Sequence, residues 1–328
     1  MKQSCISLLF PCVIPTIKKD YQRMRLHYNR LFKFLPIDRI VFVGPESLLP
    51  LIENDKANDI FSNHSVEFIN ETSLLDIDSL RPVFNSLITT ENNLKPTAIN
   101  WYYQQFLKMS YALICKSTYY LCWDSDTLPL RKIEMLCPNG KPYFDIKSEH
   151  NEVYFKTIER LFGFGKIIEK SFVSELMLFK VDLMKEMISE IEQSKFNGDR
   201  FYEKILYAVG SENLNQGFSE FETFGSWVGV RHSSEYMLRN WNSFRNTNFF
   251  VDISNVSEED LNWLAKDFDA ATFEKYQETN ETLNTLFIDP KYREALSPKQ
   301  FYTTILESGV FGDYLDGSIK SSEFSAPL

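Results

Sequence analysis

The chain has 328 residues, with 35 Lys and Arg against 45 Asp and Glu and a formal net charge of −10. The length suits one large domain or two small ones, and the acidic balance excludes a general nucleic-acid binder, whose phosphate contacts need a basic face. With 44% hydrophobic and 24% charged residues and only 12 Gly and 13 Pro, disorder and collagenous architecture are excluded too.

At the N-terminus Lys2 precedes an apolar stretch, residues 5–13, that mimics a short signal peptide. Pro11 and Pro15 interrupt it and no small-x-small site follows, so it reads as a buried strand instead. Residues 18–35 place Tyr21, Met24, Tyr28, Leu31, Phe32 and Leu35 at helical spacing. Residues 39–43 (RIVFV) form the second strand, stopped by Gly44-Pro45. Residues 47–54 suit a short helix, 66–69 a third strand, and 99–115 a longer helix. Residues 119–123 (YYLCW) form a short aromatic strand that runs directly into Asp124-Ser125-Asp126.

In the second half, residues 151–162, 182–194 and 200–209 read as helices and 176–181 as a buried strand. Ser219 begins a helix of the capping-box type, with Glu222 at N3. Ser257 and Ser297-Pro298 open two more, and the Ser-rich last ten residues read as frayed. The five cysteines, Cys5, Cys12, Cys115, Cys122 and Cys137, are odd in number and lack C-x-x-C spacing. They read as reduced core thiols in a reducing compartment. No window of 18 uncharged apolar residues exists, so no transmembrane helix is expected. The strand–helix alternation predicts an α/β fold with a mostly parallel, Rossmann-like sheet flanked by helices.

In such sheets ligands bind beyond the carboxyl ends of the strands, where the Asp-Ser-Asp triplet lies. Two carboxylates at i and i+2 can share one divalent cation, and hard oxygen ligands suit Mg²⁺ or Mn²⁺ held jointly with substrate phosphates. The same three residues are also common turn formers.

The block WYYQQFLK at residues 101–108, followed by YYLCWDSDTLPL, resembles the core of GT-A-type glycosyltransferases. More narrowly it is similar to a poorly characterised bacterial family with a W-Y-x-Q-Q-x-L-K helix, a strand ending in D-x-D-T, an S-F-V-x-E-x-M stretch and an F-S-E-[FY]-E segment. The last two are residues 171–177 and 218–222 here. The resemblance covers about residues 4–245. It implies a metal-dependent transferase that moves a sugar from a nucleotide-sugar donor to a hydroxyl acceptor. Asp126, and with it Asp124, would hold Mn²⁺ or Mg²⁺ against the donor diphosphate, with His232 or His150 as a further ligand. Pro11 to Thr16 and Gly44 would line the nucleotide pocket. Trp101, Tyr102, Gln104, Gln105, Lys108 and Ser125 are candidates for donor contact, and Arg131 and Lys132 for phosphate charge. Glu220 or Glu222 would be the base that takes the acceptor's proton.

The resemblance implies a catalytic domain over residues 1–245; residues 246–328 have no counterpart in it and read from their own pattern as a helical extension packed on the core. The acceptor would be a glycan or lipid-linked glycan of bacterial surface polysaccharide or lipooligosaccharide synthesis. The protein would be cytoplasmic, touching the inner membrane only locally, because its net charge opposes anionic lipid. Three other readings compete. A haloacid-dehalogenase-type phosphatase needs D-x-D-x-[TV], and Leu128 breaks that pattern. A nucleotidyltransferase needs a Gly-rich signature, which FPCVIPTIKK lacks. A glycan-binding protein without turnover would have no use for intact Asp124, Asp126 and Glu220.

Overall fold

The computed structural model describes residues 8–90, 94–95, 97–148 and 150–309. Lys2, Cys5 and the last ten residues lie outside that set. Five strands make the central sheet: β1 (Phe10–Pro15), β2 (Ile37–Gly44), β3 (Ser65–Asn70), β4 (Tyr119–Trp123) and, later in the chain, Leu176–Lys180. Between these last two come β5 (Thr127–Pro129) and β6 (Tyr143–Ile146), so Leu176–Lys180 is β7. The spatial order is β3-β2-β1-β4-β7. The first four are parallel, and β7 runs antiparallel beside β4. This is the expected mixed α/β architecture with a mostly parallel sheet flanked by helices.

The sheet is buried on both faces because alternate side chains of each strand enter different cores. Cys12 and Ile14 of β1, Ile40 and Phe42 of β2, and Leu121 and Trp123 of β4 point into one cluster. Val13, Val41, Val43, Tyr120 and Cys122 point into the other. The first cluster is closed by the Lys18–Met24 and Asn29–Phe34 helices, through Tyr21, Met24 and Leu31, and by Phe250, Trp263, Phe301 and Tyr302 from the end of the chain. The second is closed by the helices Ala98–Ile114, Val181–Glu192, Phe201–Val209 and Glu220–Arg231. Cys12, Cys115, Cys122 and Cys137 are free and buried. Burial is the largest cause that pushes the thiols of Cys12, Cys115 and Cys122 up, which fits inert core residues.

Two expectations need correction. Residues 18–35 are not one helix: a 3₁₀ turn at Arg25–His27 breaks them. The second correction is larger. Strands β8 (Met237–Asn240), β9 (Ser243–Phe244) and β10 (Ala270–Thr272) complete the set, and β10 lies between β5 and β9. Residues after 245 are therefore more than a helical addition. They share a sheet with the strand that follows the Asp-Ser-Asp turn, and a cut at 245 would divide both that sheet and the first core. β10 is three residues long, too short to show a period.

A candidate active site at the carboxyl edge of the sheet

The strand order reverses between β1 and β4, and ligand crevices of open α/β sheets form beyond the carboxyl ends at such a point. A cleft of about 410 Å³ opens there, within the roughly 300–1,000 Å³ of small-molecule sites. Its lining includes Trp101, Gln104, Gln105, Lys108, Asp124, Ser125, Asp126 and Glu220. These residues, far apart in sequence, line the same cleft.

The turn is held by backbone bonds. Asp124 N donates to Glu175 O at 2.9 Å, Thr127 N to Asp124 O at 3.2 Å, and Phe273 N to Asp126 O at 2.8 Å. Asp124 is half-buried and accepts from Lys108 Nζ at 3.0 Å. The same ammonium lies 2.8 Å from Glu220 Oε1 and 4.3 Å from the Phe221 ring centroid. Burial would lower the Lys108 pKa, but Asp124 and Glu220 override it and hold the group firmly charged. Gln105 fixes the approach of the next helix, because its Oε1 accepts from Glu220 N at 2.9 Å.

Asp126 differs from Asp124. Among the described residues no hydrogen bond or ion pair reaches its carboxylate. Enclosure by the fold, then the neighbouring Glu274 and Asp124, push its pKa well above the usual carboxylate range, against the pull of Arg245 and Arg23. Glu274 and both arginines line the cleft, as do Asp20, Lys275 and Tyr276. Arg245 binds Glu274 at 2.9 Å, and Arg23 donates to Phe273 O. None of these residues was singled out by sequence. Asp20 and Arg23 stand on the Lys18–Met24 helix, whose periodicity marks only its apolar face, and Arg245, Glu274, Lys275 and Tyr276 sit in loops after β9 and β10, where a lone charge carries no periodic signal.

Glu175 belongs to the 171–177 block and forms the cleft's buried floor. It accepts from Lys147 Nζ and Trp241 Nε1, each at 2.6 Å, and from Ser243 Oγ at 2.9 Å. Burial would raise its pKa, but Lys147 and then Arg245, with the hydrogen bonds, bring it down to about 2. The block also explains Glu222. Its carboxylate accepts from Ser171 Oγ and, at 3.0 Å, from Phe172 N. Ser219 does cap the helix, accepting from Glu222 N at 3.3 Å, but the Glu222 side chain leaves the cap to tie the two blocks together. Glu222 is buried outside the cleft lining, so the structure offers it no acceptor to deprotonate.

Other expected residues lie elsewhere. His232 caps the far end of the Glu220–Arg231 helix, about 18 Å along its axis from Glu220. There it meets Glu186 at 3.0 Å and the Trp227 ring. His150 pairs with Lys166 and stacks on Phe155. Chain order suggested both, and neither is among the residues that line the cleft. Arg131 is paired with Asp269 and Lys132 with Glu134. Tyr102 is fully buried, its hydroxyl accepting from Gly217 N. Pro11 is paired with Arg39 inside β1, four residues short of its end. Thr16 and Gly44 are packing positions. A Cβ on Gly44 would stand 2.3 Å from Thr16 O, so only glycine lets the two strand ends approach.

Among the described residues, no three His, Cys, Asp or Glu side chains stand close enough to hold a metal ion by themselves. Mg²⁺ and Mn²⁺ need less: one or two carboxylates, completed by substrate phosphate and water. Asp126, unpartnered and pressed by two other carboxylates, fits that role.

A family model matches residues 4–288. The chain belongs to DUF6492, a family of unknown function. No curated protein sequence matches it. Solved structures of similar architecture include mouse xyloside xylosyltransferase 1, at 13% identity and a TM-score of 0.43, covering 83% of this chain and 99% of that one. The galactosyltransferase LgtC, with donor and acceptor sugar analogues, aligns at 12% and 0.41, covering 88% and 100%. The bifunctional glycosyltransferase WbbM aligns at 12% and 0.43, covering 92% and 52%. No helix among the described residues is long and apolar enough to cross a membrane.

Proposed function

We propose that this chain is a metal-dependent glycosyltransferase of GT-A type, moving a sugar from a nucleotide-sugar donor to a hydroxyl acceptor. The observation that carries this reading is the Asp124-Ser125-Asp126 turn at the point of strand reversal, where an unpartnered carboxylate faces a cleft that also holds Arg23 and Arg245. Asp126, with Asp124 or Glu274 after release from their cations, would hold Mn²⁺ or Mg²⁺. When bound, that ion would neutralise charge on the departing nucleoside diphosphate. Arg23, Arg245 and Lys275 add positive charge on the same side. Glu220 is the candidate base for inversion, and Lys108 fixes its carboxylate in place. The bacterial surface-glycan pathway, the glycan or lipid-linked acceptor and a cytoplasmic site with local inner-membrane contact rest on the sequence resemblance.

The test is thermal melting of the intact protein with UDP, GDP or ADP, each with and without Mn²⁺, followed by hydrolysis of a panel of nucleoside-diphosphate sugars. A metal-dependent rise, about 2.7 kcal/mol at a hundredfold excess over Kd, together with release of nucleoside diphosphate is expected. No shift with any nucleotide would overturn the reading.

A further inference from the structure

The cleft has two unlike walls. The wall built on the first core carries Asp20, Arg23, Arg245, Glu274 and Lys275. The wall built on the second core presents Trp101, Gln104, Gln216 and Val173, none of them charged. Among the described residues that line this wall, the one cation is Lys108, already held between Asp124 and Glu220. Trp101 stands in the first turn of the Ala98–Ile114 helix. Its indole N–H donates to Phe218 O at 3.1 Å, so the ring is fixed, yet the residue is 38% exposed. Gln104 and Gln216 are exposed, and among the described residues neither side chain has a hydrogen-bond partner. Each amide offers two donors and a carbonyl acceptor to whatever enters.

A fixed aromatic face beside free neutral amides matches a saccharide, whose C–H face is apolar and whose hydroxyls both donate and accept. A carboxylate or phosphate would find no available cation on this wall and would face Glu220. We infer that the Trp101–Gln104–Gln216 wall is the acceptor subsite and that it takes a neutral sugar, not a uronic, sialic or phosphorylated one. This inference rests on the glycosyl-transfer reading and deepens it.

The experiment uses the full chain on an array of glycans ending either in neutral hexoses or in sialic, uronic or phosphorylated sugars. It is run with and without Mn²⁺ and the nucleotide that gives the largest melting shift. Binding confined to neutral termini is expected. Trp101→Ala should weaken it about tenfold, the scale of one lost aromatic contact, and Trp101→Phe should restore most of it. Both variants should keep the wild-type nucleotide-induced melting shift, which shows that they fold and that the charged wall is intact. Preference for anionic termini, no glycan binding at all, or neutral binding indifferent to Trp101→Ala would each overturn the inference. The first two results leave the nucleotide shift, and with it the transferase reading, to stand or fall separately.

Discussion

The Ala98–Ile114 and Glu220–Arg231 helices reach the cleft from one face of the sheet, and residues 243–276 reach it from the other. The first group brings amides, an indole and one internally neutralised ion pair. The second brings charges that depend on each other across loops, as Arg245 does on Glu274 and Lys275 on Asp20. The side built on helices of 17 and 12 residues carries mostly neutral groups, and the side built on strands of two and three residues carries most of the charge.

The sharpest way to break this contrast is Asp126→Ala. It should abolish transfer and the metal-dependent part of the nucleotide melting shift. The variant without ligand should melt no lower than wild type, because one of three crowded carboxylates is gone. Near-normal turnover with metal present would remove the charged wall from the chemistry. Next is Glu220→Gln, which keeps the shape and loses the proton acceptor. Transfer should fall by about 10²–10⁴-fold with nucleotide affinity preserved, read by single-turnover rates and titration.

Lys108→Met tests the joint between the walls. Removing one partner of a buried pair costs about 3–5 kcal/mol, here by stranding Glu220, which is only 4% exposed. Urea unfolding should show that loss, and adding Glu220→Gln should recover part of it. Glu222→Gln should be milder, about 1–3 kcal/mol, with transfer unimpaired. A catalytically dead but stable Glu222→Gln would instead make Glu222 the base in place of Glu220, two residues earlier in the same first turn.

The smallest effect is set by acidity. Glu175 is held down at about 2 against an ordinary 4.5, so its folded form is the weaker proton binder. Its contribution is present in full above pH 4.5 and drains away as pH falls toward 2. Melting temperature measured across that window should drop less for Glu175→Gln than for wild type.

How much of this was legible follows from the kind of signal each part carries. β1 and β4 are unbroken apolar runs, β2 is one after Asp38-Arg39 and β7 is one up to Lys180, and the Asp-Ser-Asp triplet follows directly on β4. The serine caps at 219, 257 and 297 were equally plain, because a cap is a local bond. Glu274, Arg245 and Arg23 had no such signal. Their meaning lies in distances to Asp126 that only β10 and its neighbours create. His232 illustrates the converse, since it follows the acidic helix in sequence and stands at that helix's wrong end in space.

The bond from Phe273 N to Asp126 O joins positions at opposite ends of the chain's order of synthesis. A ribosome would have made the whole parallel sheet and the Glu220–Arg231 helix long before residues 270–276 emerged. Until then the acidic turn lacks its flanking strand, and Glu274 and Lys275 are absent. A contact so distant along the chain is also among the slowest to form, since its loop must close before anything rewards it. The same late segment therefore completes both the first core, through Phe250, Trp263, Phe301 and Tyr302, and the cleft, and a chain stopped at residue 245 would lack both.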